Sequence, residues 1–203
     1  NFSLNKGEVL GLVGESGSGK TTLGRTIIRL TNQDSGKIIF DNHDISNLSK
    51  SAMKKIRRDM QIIFQDPFGS LNPRHSIEHI IGEPLIIHKF GTYDKIKKRI
   101  LQLLDQVGLP SDSMKLFPHE FSGGQRQRIA IARAIALKPK FLIADEAVSA
   151  LDVSIQSQIL NLISDLVKEY NISMVFISHD LSVIRHISSS IAIMQKGEIV
   201  EMG

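Results

Sequence analysis

Gly14-Glu15-Ser16-Gly17-Ser18-Gly19-Lys20-Thr21-Thr22 is the stretch on which the fold turns. It fits the pattern GxxxxGK[ST]. The apolar run Glu8-Val9-Leu10-Gly11-Leu12-Val13 precedes it, and Leu23, Ile27, Ile28 and Leu30 follow at helical spacing. The order is therefore strand, glycine loop, helix. Glycines in such a loop let backbone N–H groups approach phosphate oxygens closely, and the following helix presents its positive end to the same anion. Lys20 is placed to hold the β- and γ-phosphates and Thr21 to hold a magnesium ion. The spacing does not match the dinucleotide pattern GxGxxG.

Outward from the loop, Lys37-Ile38-Ile39-Phe40 and Met60-Gln61-Ile62-Ile63-Phe64 read as strands, the first closed by the turn Asp41-Asn42-His43-Asp44. From Pro67 to about Glu120 the pattern is helical. Ile96, Ile100, Leu103, Leu104 and Val107 form one apolar stripe, and Gly108 is its stop signal. Ser122 caps a helix reaching about Leu137. Strand Phe141–Ala144, helix Ile155–Tyr170, strand Ser173–Ser178, helix Leu181–Ile187 and strand Ile191–Met194 follow, and the Lys196-Gly197 turn leads into Glu198–Val200. Strands alternating with helices predict an α/β fold, a phosphate-loop nucleotide-hydrolase core with a mainly parallel sheet and the binding site at the carboxyl ends of its strands. The expected division is a catalytic core with an antiparallel part (1–66 and 139–203) interrupted by a helical subdomain (about 67–138).

Phe141-Leu142-Ile143-Ala144-Asp145-Glu146 ends a buried strand in two carboxylates. Alternate projection from a strand sends them to different tasks, Asp145 to magnesium and Glu146 to the attacking water. Alone, such a pair is a common solvated loop; beside the glycine loop it completes a phosphate site. Phe121-Ser122-Gly123-Gly124-Gln125 opens a second helix with a hydroxyl and glycine amides. Those groups suit a second anion site or a plain Ser-capped helix.

Composition narrows the field. Of 203 residues, 41% are hydrophobic and 23% charged, which is ordinary globular usage and disfavours a disordered or collagen-like chain. The absence of cysteine removes disulfides, thiolate zinc sites and Cys nucleophiles from this stretch. The net charge of +4 suits phosphate without proving it. No apolar run approaches the ~18 residues that span a bilayer, and Asn1-Phe2-Ser3-Leu4-Asn5-Lys6 lacks a signal peptide's apolar core. Those first residues read as strand and no initiator Met is present, which predicts a chain missing its natural start. His43, His75, His79, His88, His119 and His186 show no metal-ligand spacing and are expected to be structural or superficial. The basic groups Lys54 to Arg58 and Lys95 to Arg99 carry no interleaved aromatics, so no nucleic-acid partner is expected.

Taken in order, GESGSGKTT (14–22), Gln65, FSGGQ (121–125), FLIADE (141–146), SALD (149–152) and His179 resemble the ATP-binding cassette of ABC transporters over essentially the whole chain. QDPFGSLNPR (65–74), PHEFSGGQRQRIAIARAIALKP (118–139) and SALDVSIQSQILNLI (149–163) are similar to the oligopeptide and dipeptide import branch, especially its second ATPase subunit. The resemblance implies ATP and Mg2+ as ligands. It makes Gly14, Glu15, Ser16, Gly17, Ser18, Gly19, Lys20, Thr21 and Thr22 the cis phosphate site, and Thr21, Gln65 and Asp145 the magnesium ligands. Glu146 becomes the general base, Gln65 also the sensor of the membrane subunit, and His179 the γ-phosphate switch. Ser122, Gly123, Gly124 and Gln125 would bind ATP held by an opposing subunit, with Asp152 at the interface.

The implied partners are a second ATPase subunit bound head to tail, two membrane-spanning permease subunits and, indirectly, an extracytoplasmic solute-binding protein. The implied location is the cytoplasmic face of the cell membrane. Nickel, glutathione or antimicrobial-peptide handling remain alternatives within the branch, and a soluble ABC protein on ribosomes or DNA a remote one. The latter is opposed by a single copy of each motif and by only about 100 residues, without sustained heptads, between Lys20 and Ser122. Two departures stand out. Ala147 replaces the family's Pro after the catalytic Glu, which predicts looser Glu146 geometry. The adenine-stacking aromatic lies upstream of Asn1, so residues 1–203 are expected to bind ATP more weakly than a longer chain; equal affinities in a titration of both would refute this.

Overall fold

The computed structural model describes residues 1–203. In chain order the elements are β1 (Val9–Val13), α1 (Lys20–Ile27), β2 (Ile39–Phe40), β3 (His43–Asp44), α2 (Lys50–Ile56), β4 (Met60–Ile63), α3 (Pro67–Ser70), α4 (Ile77–Ile87) and α5 (Tyr93–Gln106). After 3-10 turns at Ser111–Lys115 and Pro118–Glu120 come α6 (Gly123–Ile135), β5 (Phe141–Asp145), α7 (Val153–Tyr170), β6 (Ser173–Ser178), α8 (Leu181–Ile187), β7 (Ser190–Gln195) and β8 (Glu198–Met202).

β1 and β5 are apolar at nearly every position because helices cover both faces of the sheet. Side chains alternate between two cores. Leu142, Ala144, Met174 and Phe176 join the larger one with α4 to α8, whereas Ile143, Val175, Ile177 and Leu10 join the smaller one toward α1 and α2. The helices between β4 and β5 share the larger core with the sheet: Ile81, Leu85, Ile100 and Leu104 belong to the same cluster as Phe176. The stripe predicted on α5 is buried along its whole length, and Gly108 follows it at φ +70°.

The six strands run in the order β4-β5-β6-β1-β7-β8. All adjacent pairs are parallel except β7 with β8. The register pairs Val13 with Ser178 and Asp145 with Ile177, so Gly14, Glu146 and His179 leave the sheet at one edge. Ile63 pairs with Ala144, which brings Gln65 to that edge too.

The antiparallel part differs from the sequence reading in extent. Residues 1 to 6 form no strand; Phe2 and Leu4 do alternate inward against the smaller core, but no neighbouring backbone offers a ladder. Strand β2 begins at Ile39, not Lys37, because β3, its only partner, is two residues long. Asp41 and Asn42 take φ +50° and +64°, the tight two-residue hairpin turn.

Arg99 of α5 is buried and closes the end of α6: its guanidinium donates to the carbonyls of Ile135 and Ala136 at 3.1 and 3.2 Å and to the Tyr170 hydroxyl at 3.3 Å. Cutting it to Ala leaves the Ala136 carbonyl without a donor and the Ile135 carbonyl with Lys138 N–H alone, so Arg99→Ala is expected to cost about 1–3 kcal/mol in chemical denaturation.

Candidate functional site: a polar cleft at the phosphate loop

Gly17 and Gly19 hold φ of +80° and +100°, angles that bend residues 14–19 around a hollow before α1 begins at Lys20. Gly14 is required for a different reason: a Cβ there would lie 2.2 Å from the carbonyl oxygen of Met194. The Lys20 side chain is buried and curls back, its Nζ donating to the carbonyls of Gly14 at 2.7 Å and Glu15 at 2.8 Å. An ammonium and free loop amides thus share one concavity, the arrangement that phosphate oxygens require.

Thr21 Oγ1 donates to Asp145 Oδ1 at 3.0 Å. Burial, the dominant influence, pushes the Asp145 carboxyl above its ordinary range, with the Thr21 hydroxyl pulling the other way. A hydroxyl and a desolvated carboxylate in contact are hard oxygen donors of the kind Mg2+ takes, so these residues fit the ion that the sequence implied. The same burial has a stability consequence. Between the unfolded pKa and the raised native one, the native state keeps a proton that the unfolded chain releases, so stability falls as pH rises through that window. Asp145→Asn removes the buried charge and keeps the acceptor for Thr21. In nucleotide-free protein it is expected to raise Tm by about 2–5 °C at pH 7 and by less near pH 4, read by scanning calorimetry.

β5 ends at Asp145, and Glu146 is outside the strand at φ +47°. The two carboxylates therefore part through a left-handed backbone, not through strand alternation, which corrects the sequence reading. Glu146 N–H donates to the Ile177 carbonyl at 3.0 Å, and the Glu146 carbonyl accepts from Ser149 N–H and Oγ at 3.1 and 3.0 Å. Its carboxylate accepts from Gln65 Nε2 at 2.9 Å and lies 3.5 Å from His179 Nδ1. These contacts hold Glu146 without a proline at 147, and Ala147 is itself buried.

Gln65, Glu146 and His179 line one cleft of about 460 Å³ together with Ser16, Gly17, Gly19, Lys20, Thr21 and Thr22, and no lining residue is hydrophobic. A carboxylate, an imidazole and an amide thus face a phosphate cradle. They can bind a polyphosphate and polarise a water beside it.

Ser122, Gly123, Gly124, Gln125 and Asp152 do not line that cleft. Ser122 Oγ accepts from Gln125 N–H at 3.4 Å and Gln125 Oε1 accepts from Ser122 N–H at 3.0 Å, a closed capping box at the start of α6. Gly124 sits where a Cβ would be 2.7 Å from Ile155, and Gly123 faces Leu151, so the start of α6 packs on the segment around Asp152, the residue preceding α7. The structure thus gathers the predicted residues into two groups. Sequence reasoning quoted Ser149 within SALD without a role for its bonds to Glu146, and it missed Met194 and the placement of the Lys196-Gly197 turn against the phosphate loop, since nothing local marks contacts made across the sheet.

The fold and the cleft define a phosphate-loop nucleotide-binding domain of the cassette type. Residues 1–149 match the family model described as ABC transporter, and the chain belongs to that family. It is 53% identical over its full length to the oligopeptide transport ATP-binding protein AppF of Bacillus subtilis (strain 168), spanning 62% of that protein. It is 54% identical to the glutathione import ATP-binding protein GsiA of Salmonella paratyphi A, spanning 33% of it. Among solved structures, the dimeric post-hydrolysis state of the cassette MJ0796 bound to ADP and Pi superposes with a TM-score of 0.89 at 32% identity, over 100% of this chain and 88% of that one. The protein cbiO1 of Clostridium perfringens, part of the transporter complex cbiONQ, gives 0.90 at 30% identity, over 100% and 79%.

Proposed function

We propose that this chain is the ATP-hydrolysing part of an importer for oligopeptides or dipeptides, acting at the cytoplasmic face of the cell membrane. The observation that carries the enzymatic half is the convergence of Gln65, Glu146 and His179 on the cleft of the phosphate loop. Loop amides and Lys20 bind the phosphates. Mg2+, held by Thr21, Asp145 and Gln65, would neutralise phosphate charge. Glu146 takes a proton from the attacking water, and Gln65 and His179 orient the groups around it. Residues 1–66 with 139–203 form the catalytic core and about 67–138 the helical subdomain.

Following the family resemblance, Ser122 to Gln125, which lie outside the cleft, serve the nucleotide of a second ATPase subunit, with Asp152 linking the two sites across a head-to-tail dimer. ATP then favours the closed pair, and loss of the γ-phosphate releases it. No helix is long and apolar enough to cross a membrane, so the path for solute is assigned to two permease subunits, served by an extracytoplasmic solute-binding protein.

The peptide branch is supported by the likeness to AppF, and glutathione is the second reading because of the likeness to GsiA. Affinity purification of the complete protein from mildly solubilised membranes, with mass spectrometry of its companions, tests the assignment. Two permeases and a second cassette are expected. Recovery with ribosomes or DNA-repair proteins would overturn transport and leave the ATPase chemistry standing.

A further inference from the structure

The hairpin formed by β7 and β8 lies at the far side of the sheet from Asp145 and Glu146, yet its end touches the phosphate loop at three points. β7 runs parallel to β1, with Ile193 opposite Val13, so it ends beside the loop that leaves β1. There the ladder to β8 shifts register between Ile193 and Met194. The Met194 carbonyl lies against the Gly14 backbone, where it would meet any Cβ at 2.2 Å, and the Met194 methyl lies 3.1 Å from a Cβ placed on Gly19. Beyond it, Lys196 and Gly197 turn the chain at φ +48° and +88°, and Gly197 N–H donates to the carbonyl of Ser18 at 2.9 Å.

That last bond fixes more than a carbonyl. The Ser18 oxygen and the Gly19 N–H belong to one peptide unit, which is planar and trans, so they point in opposite directions. While Ser18 C=O is held on the hairpin, Gly19 N–H must face away from it, toward the side of the loop where Gly17, Gly19 and Lys20 line the cleft. Gly19 N–H finds no acceptor within the chain. It is a donor left free for an acceptor from outside the chain.

We propose that Gly197 is a positioning residue for nucleotide binding: the turn between β7 and β8 locks the Ser18–Gly19 peptide so that the Gly19 amide is presented to phosphate before nucleotide arrives. What position 197 must supply is narrow. A Cβ there would meet nothing within 4 Å, so bulk is harmless; the requirements are a left-handed backbone and an N–H. Asn tolerates that conformation, Ala tolerates it less, and a β-branched Val resists it.

The inference rests on the reading of the cleft as an ATP site, and the test separates the two. In the complete protein, Gly197→Val is expected to raise Kd and KM for ATP about tenfold while kcat falls by less, Gly197→Ala to lie between, and Gly197→Asn to restore KM to within about twofold. In spectra of 15N-glycine-labelled protein, the Gly19 amide should shift on addition of Mg-ADP in wild type and Asn variant, and shift less in Ala. If Val fails to fold, the ordering of Ala below Asn carries the test. Should Val or Ala lower Tm with KM unchanged, or should Asn bind ATP as poorly as Val, the turn only supports the sheet and the proposal falls. A wild-type protein that binds no ATP would instead overturn the reading of the site.

Discussion

Glu146→Gln is expected to lower ATP turnover of the site it belongs to by about 10²–10⁴-fold, with ATP still bound. The substitution is nearly isosteric, so what it removes is the ability to accept a proton. The Glu146 carboxylate is mostly shielded, with the side chain 16% exposed, and it is met by an amide donor from Gln65 on one oxygen and by His179 on the other. Both are neighbours that a carboxamide can still satisfy, so the local backbone at φ +47°, held by Ile177 and Ser149, has no reason to move. Single-turnover phosphate release measured beside equilibrium ATP binding checks the point. An unchanged hydrolysis rate would make the subunit a nucleotide-binding regulator with cleavage assigned elsewhere. A large loss of ATP binding would place Glu146 in the cradle itself.

How far the sequence alone reaches can be judged at this same residue. That a buried strand runs up to Asp145, with Glu146 next to it, was legible from Phe141-Leu142-Ile143-Ala144, because a parallel strand covered on both faces has to be apolar throughout. That they part through a left-handed turn was not. Strand alternation gives the same separation, and φ depends on Ile177 and Ser149, which bind from another strand and from three residues on. The helix stripe on α5 was equally plain, since Ile96, Ile100, Leu103 and Leu104 obey a local period. Phe2 and Leu4 obey one as well, yet form no strand, because pairing needs a neighbour that sequence periodicity cannot supply. Within the cleft, the loop residues were legible from spacing that a phosphate itself dictates. Gln65 came only through resemblance and His179 through resemblance together with its place after a strand, since each stands alone in its segment, and their approach to Glu146 is set by the register of β4, β5 and β6.

Lys20→Ala is expected to weaken ATP binding at least about a hundredfold and leave Tm of the nucleotide-free protein within a few degrees of wild type. The Lys20 ammonium satisfies itself on the carbonyls of Gly14 and Glu15 at 2.7 and 2.8 Å. Lys20 itself lines an all-polar cleft of about 460 Å³, so water can take the place of the amine once it is gone, and folding loses little. Nucleotide binding has no such substitute. A charge-assisted contact to phosphate is worth about 1.5–3 kcal/mol, and two of them lost from β- and γ-oxygens correspond to a hundredfold or more in Kd. Lys20→Arg separates charge from shape: the guanidinium is planar and larger than the ammonium that reaches between residues 14 and 15, so it is expected to restore little. Titration with a fluorescent ATP analogue, beside thermal melts of the three proteins, reads both quantities. A Lys20→Ala protein that binds ATP normally would show that the loop amides alone carry the phosphate, and would move the weight of recognition from the side chain to the backbone that Gly197 holds in place.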